Sequence, residues 1–104
     1  MIYSTVRLSI DCNFDANHRM ELLRVFSEDF YPAISSQDGF VECLLLTKSN
    51  ELSDESLGTI RIDITFNSEL ERQNWVASEI HQKVWGRLSA EMISCSTQLF
   101  KRAP

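Results

Sequence analysis

Residues 2–10 alternate, with Ile2, Val6, Leu8 and Ile10 on one side and Tyr3, Thr5, Arg7 and Ser9 on the other. A period of two over that length predicts a half-buried strand. The period then lengthens. Asp15 is placed to cap a helix running to about Ile34, with a core stripe of Ala16, Met20, Leu23, Ser27, Phe30 and Ile34 and with Phe26 and Tyr31 beside it. Leu22 and Val25 fall off that stripe, and Pro32 should kink or terminate the helix. Residues 35–39 make a turn, and residues 40–47 (FVECLLLT) read as a second strand. The acidic run 49–57 (SNELSDESL) is a loop between strands. Alternation resumes over residues 59–66, where Ile60, Ile62, Ile64 and Phe66 oppose Thr59, Arg61, Asp63 and Thr65. Ser68 and Glu71 have the spacing of a capping box. The helix they open runs to about Ser89, with a break expected near Ser78, and residues 93–101 form a last strand.

The order is β-α-β-β-α-β. Right-handed crossovers and hairpin pairing turn it into a four-stranded antiparallel sheet with two helices on one face, the α+β, ferredoxin-like arrangement, in one domain over residues 1–104. The helices would cover the isoleucine face and leave Tyr3, Thr5, Arg7, Arg61 and Asp63 on the other. That face lacks the lysines and glutamates of a freely solvated surface. A second copy packed there as a two-fold dimer would use Arg61 or Arg7 with Asp63 as paired charges; a solvated sheet is the alternative.

The second helix holds the candidate chemistry. In Trp75-Val-Ala-Ser78-Glu-Ile-His81-Gln-Lys-Val-Trp85, two tryptophans and one of the two histidines fall within three turns. At uniform helical spacing Leu70, Ala77, Val84 and Leu88 share one face, His81 lies in the middle of that stripe, and Asn74, Ser78 and Trp85 edge it. Polar groups on an apolar face need partners or a cavity, so this helix is expected to wall a pocket. Gly86 inside it costs about 1 kcal/mol relative to alanine, which points to close packing or to fraying.

Composition narrows the partners. The formal charge of -5 disfavours nucleic-acid backbones and anionic membranes, and no apolar run is long enough to span a bilayer. The N-terminus alternates rather than showing a charged region followed by an apolar run, so a signal peptide is not expected. Cys12, Cys43 and Cys95 are odd in number and far apart, which fits reduced thiols in a cytoplasmic setting better than a disulfide framework. There is no metal-ligand spacing, and the isolated glycines form no phosphate loop, so neither a metal nor a nucleotide or flavin cofactor is expected.

Tyr31-Pro32 followed by Asp38-Gly39-Phe40 resembles the junction between helix one and strand two of the antibiotic biosynthesis monooxygenase (ABM) family. Asn67-Ser-Glu-Leu, then Trp75-Val-Ala-Ser78 and His81, resembles that family's second-helix pattern. The resemblance implies a dimeric α/β barrel, in which the sheets of a homodimer face each other and a pocket lies between each sheet and its own helices. It further implies one of several activities: oxidation of quinols or anthrones by dioxygen without metal or flavin, haem degradation, or binding without catalysis. Haem-degrading members carry an asparagine where this chain offers Arg7, an iron-ligating histidine where it has Trp85, and a tryptophan commonly ends strand three where it has Phe66, so haem is the weaker branch.

Cofactor-free oxygenation needs a dry aromatic pocket, a base for the substrate proton, and stabilisation of the anion. His81 is the candidate base or donor, because imidazole titrates near neutrality. Asn74, one turn earlier, is the candidate donor to a developing oxyanion. Trp85, Tyr31, Phe26 and Phe30, with Ser78, are the candidate substrate-binding residues. Arg7, Arg61, Asp63 and Trp75 are candidate dimer contacts, Trp75 because an unbroken helix would point it sideways. The expected partners are a small aromatic substrate and dioxygen. A histidine satisfied inside the core, in a structural or ligand-binding dimer, is the competing reading.

Overall fold

The computed structural model of the chain describes residues 5–47 and 57–101. Ile2, Tyr3 and the acidic loop up to Ser56 therefore lie outside the described residues. Strand β1 (Val6–Asp15) continues the apolar alternation past Ile10 through Cys12 and Phe14, both fully buried. The polar residues that made residues 11–15 look like a turn are accommodated on the opposite face, where Asp11 accepts from Arg61 Nε at 2.8 Å. β2 (Phe40–Thr47), β3 (Leu57–Phe66) and β4 (Ser94–Lys101) complete an antiparallel sheet in the order β2-β3-β1-β4. β1 is thus central and pairs with both β3 and β4. This is the ferredoxin-like α+β arrangement that the element order predicted.

The first helical segment departs from uniform winding. Residues Ala16–His18 form a 3-10 turn behind the Asp15 cap, α1 (Arg19–Val25) follows, Phe26–Phe30 is a π turn, and α2 (Tyr31–Ser35) ends it. Pro32 explains the wide turn. It has no N–H to donate, and in an α-helix its ring would meet the carbonyl of Glu28. In the π turn the Tyr31 N–H bonds back to Phe26 O, one residue further than in an α-helix, and the chain passes the proline without stopping. The phase of the buried stripe changes accordingly. Leu22, Val25, Phe26, Phe30 and Ile34 are buried, whereas Met20 is 80% exposed. The expected stripe through Met20 and Ser27 assumed one constant period, which neither the 3-10 nor the π turn obeys.

The second helical segment splits where its sequence suggested. α3 (Glu69–Ala77) and α4 (Glu79–Ser89) meet at Ser78, whose backbone is extended at φ -74, ψ 150. Ser68 opens α3 by accepting from the Glu71 N–H at 3.2 Å, and its hydroxyl donates to Glu71 Oε1 at 2.9 Å. The break resets the phase of the burial. Trp75 in α3 and Val84 and Leu88 in α4 are buried, while Leu70, placed on the stripe by a continuous helix, is 67% exposed.

Two glycines are fixed by their surroundings. Gly39 has φ +80, and a Cβ there would lie 2.3 Å from the Glu71 carboxyl carbon. A Cβ on Gly58 would lie 2.3 Å from the Phe14 ring, directly across the β1–β3 pair. Gly86 is different, since a Cβ there meets nothing within 4 Å. Neither close packing nor fraying accounts for it, because α4 continues past it to Ser89. Gly86→Ala is therefore expected to stabilise the fold by about 0.5–1 kcal/mol, and Gly58→Ala to destabilise it by more than that. Urea unfolding of the two variants beside the native chain checks both signs.

Candidate functional site

The sheet face away from the helices is organised by cross-strand pairs between β1 and β3. Ser9 lies opposite Asp63, Asp11 opposite Arg61, and Arg7 opposite Thr65. The Ser9 hydroxyl donates to Asp63 Oδ1 at 2.7 Å, Arg61 forks onto Asp11, and Arg7 Nε donates to Thr65 Oγ1 at 3.2 Å while Nη2 lies 3.6 Å from Glu42. This corrects one expectation. Asp63 is not a charge presented to either arginine: it is buried against Ser9, and both arginines find other partners within the chain. Leu44, Leu46 and Phe100 stand exposed on the same face. A concavity of about 430 Å³ at one end of the face, lined by Asp11, Leu46, Thr59 and Arg61, has its charges already engaged with each other.

The site with unused chemistry lies between the sheet and its own helices. A cavity of about 230 Å³ has Leu8, Ile10 and Ile64 as its floor and Phe30, Trp75 and Trp85 as aromatic walls. Phe30, brought into line by the π turn, meets Trp75 at 6.0 Å and Trp85 at 6.3 Å between ring centroids, both near edge-on. The Ser78 break positions the rest. Ser78 Oγ donates to the Trp75 carbonyl at 2.6 Å and accepts from the His81 N–H at 3.2 Å, closing α3 and capping α4 with one hydroxyl. The Trp75 and His81 rings are thereby brought edge to face at 5.0 Å.

His81 lines this cavity, and its Nδ1 is buried with no hydrogen-bond partner among the described residues. An orphaned buried polar atom costs about 1–3 kcal/mol. Burial lowers the imidazole pKa from its usual 6.5, partly opposed by the Val76 backbone. The ring is then neutral near pH 7 and able to offer a free nitrogen to the cavity as an acceptor. The core-satisfied alternative does not describe Nδ1.

The other predicted residues divide. Phe30 and Trp85 line the cavity as expected. Trp75 also lines it and is 3% exposed, so the sideways contact expected of it is replaced by an inward one, for which the Ser78 break is the reason. Asn74 is exposed and is not among the lining residues, because the reset helix turns the Trp75 side inward instead. Phe26 and Tyr31 belong to a separate aromatic row through Phe40 to Phe66, with centroid steps of 6.2, 6.3 and 6.2 Å, and Tyr31 is 41% exposed. Ser78 shapes the cavity rather than lining it. Arg72 and Thr97, absent from the sequence reading, do line it. Arg72 shares the inward side of α3 with Trp75 and Val76 by i, i+3, i+4 spacing, a signal visible only once α3 is phased separately from α4.

The remaining polar groups are structural. Cys12 and Cys43 are buried thiols pushed up to about 12 by burial, which leaves them poor nucleophiles. No cluster of three or more metal-ligating side chains occurs among the described residues. No helix among them is long and apolar enough to cross a membrane.

The two histidines are expected to titrate on opposite sides of 6.5. His18, hydrogen-bonded to Glu91 at 2.7 Å, is raised, and His81 is lowered. The unfolded chain takes up a proton near pH 6.5 before folded His81 does. The His81 contribution to stability is thus full above that pH and is lost as pH falls through its lowered folded value. NMR titration of the imidazole protons checks this; a His81 midpoint at or above 6.5 contradicts it.

No family model and no curated relative matches the chain. Solved structures do. SnoaB, a cofactor-independent oxygenase from Streptomyces nogalater, superposes with a TM-score of 0.75 at 13% identity over 99% of this chain and 96% of its own. A candidate antibiotic biosynthesis monooxygenase from Caulobacter crescentus gives 0.81 at 9% identity, covering 98% of this chain and 92% of that one. Another from Deinococcus radiodurans gives 0.79 at 12%, covering 95% and 93%. Over nearly their whole length, then, these proteins and this chain share one ferredoxin-like fold.

Proposed function

We propose that the chain is an ABM-type monooxygenase that oxidises a small phenolic or quinol-type aromatic with dioxygen, without a metal or organic cofactor. The observation that carries this reading is the unpartnered Nδ1 of His81, facing a cavity walled by Trp75, Trp85 and Phe30. At about 230 Å³ the cavity is larger than the roughly 150 Å³ that holds benzene and smaller than the roughly 300 Å³ typical of drug-sized ligands. That size suits one or two fused rings better than a three-ring anthrone.

Neutral His81 accepts the proton of the ring hydroxyl on Nδ1, and the electron-rich anion then passes electrons to dioxygen. One oxygen atom ends on the ring carbon as a carbonyl and the other leaves as water, so a naphthol plus dioxygen gives a naphthoquinone plus water. The apolar walls keep water from competing for the anion. The shared fold with a cofactor-independent oxygenase supports the reaction class.

We further propose that the protein works as a homodimer paired through its open sheet faces. Exposed Leu44, Leu46 and Phe100 supply apolar contact there, and the internally satisfied Arg61–Asp11 and Ser9–Asp63 pairs can be covered without stranding a charge. Trp75 takes no part in it. A cytoplasmic location accords with the buried, unpaired thiols.

Oxygen uptake by the metal-stripped protein with a panel of naphthols and quinols is expected, and His81→Ala should lower turnover by about a hundredfold or more with little change in melting temperature. Equal losses of activity and fold would reduce His81 to a packing residue. Sedimentation should show a species of twice the 12.0 kDa chain mass at micromolar concentration; a monomer throughout would remove the dimer.

A further inference from the structure

We propose that the cavity takes a hydroxyaromatic carboxylate, with the ring hydroxyl on His81 and the carboxylate on Arg72. The inference rests on the reading of the cavity as a substrate site and adds to it the class of substrate. Two polar atoms in that cavity lack partners. One is His81 Nδ1. The other is Arg72 Nη1: Glu69 engages Nε at 2.9 Å and Nη2 at 2.5 Å, and no hydrogen bond from Nη1 occurs among the described residues. The Arg72 side chain is 17% exposed, held by this two-point clamp, and lines the cavity. Its remaining N–H groups are therefore pre-oriented rather than free to swing. Between the two polar atoms the lining is aromatic or aliphatic.

A ligand complementary to that surface is flat and apolar in its middle, with a hydroxyl donor at one end and an acceptor at the other. A carboxylate suits the Arg72 end, since hydrogen bonds to an ionised acceptor are about twice as strong as neutral ones. Glu69 already balances the guanidinium charge, so the gain comes from a directed N–H rather than from bulk attraction. It is correspondingly moderate. Arg72 is then a specificity-determining residue, while His81 remains the group that meets the reacting hydroxyl.

Anaerobic calorimetry with 6-hydroxy-2-naphthoate and 2-naphthol tests this, since the two probes differ only in the carboxylate. The native protein is expected to bind the acid about tenfold more tightly. Arg72→Gln should abolish that preference while leaving naphthol affinity unchanged, and Arg72→Lys should retain part of it. Equal affinities in the native protein, or a preference that survives in Arg72→Gln, overturns the assignment. If Arg72→Gln also loses naphthol, Arg72→Lys decides: a preference kept by lysine supports the assignment, and none overturns it. Binding of neither probe to the native protein overturns the cavity as a substrate site, and this inference with it. Binding with the expected preference but no oxygen uptake in air leaves the acid assignment standing and removes only the oxygenase reading.

Discussion

The cavity depends on one hydroxyl. In an uninterrupted α-helix, residues six apart such as Trp75 and His81 point about 120° away from each other. Extending the backbone at Ser78 removes that separation, and Ser78 Oγ makes the extension stable by serving the last carbonyl region of α3 and the first turn of α4 together. The tryptophan can then be buried against Phe30 while the histidine of the next helix closes on its ring. Arg72, Trp75 and Val76 enter the cavity from one helix, and His81 and Trp85 from the other. A straight helix could bury only one of these sets.

The fold was legible because its signals are local. Alternating isoleucines in β3, the Ser68–Glu71 box and the glycine turn before Phe40 each specify an element through neighbours a few residues away. β1 was read too short because Asp11 and Asn13 look like turn residues; their partners, Arg61 and Ser94, lie on other strands. The site was harder. His81, Phe30 and Trp85 could be placed in it from residue type, but Asn74 and Arg72 exchange roles according to where the helix phase is reset. Composition carries no information on that phase. Phe26 and Tyr31 were aromatic in the right segment yet packed toward β2, a distinction that depends on the π turn.

The sheet's two faces show how polar content is handled differently. On the helix side the polar nitrogen of His81 is left without a partner. On the open side each buried polar group is matched with the residue directly opposite it, so Ser9 and Asp63 satisfy one another inside a single chain. The first arrangement invites a ligand, and the second only needs a cover.

The π turn couples two parts of the helical segment that would otherwise be independent. A helix that has widened by one residue is what an ordinary α-helix becomes after a single insertion. Removing one residue between Phe26 and Phe30 would restore regular winding and rotate everything after it by about 100° relative to Leu22 and Val25. Phe30 would leave the wall beside Trp75 and Trp85, and Pro32 would again confront a carbonyl. The length of this segment is thus constrained from both ends, by the aromatic wall it supplies and by the proline it must carry, and substitution is a freer route to altering the cavity here than deletion.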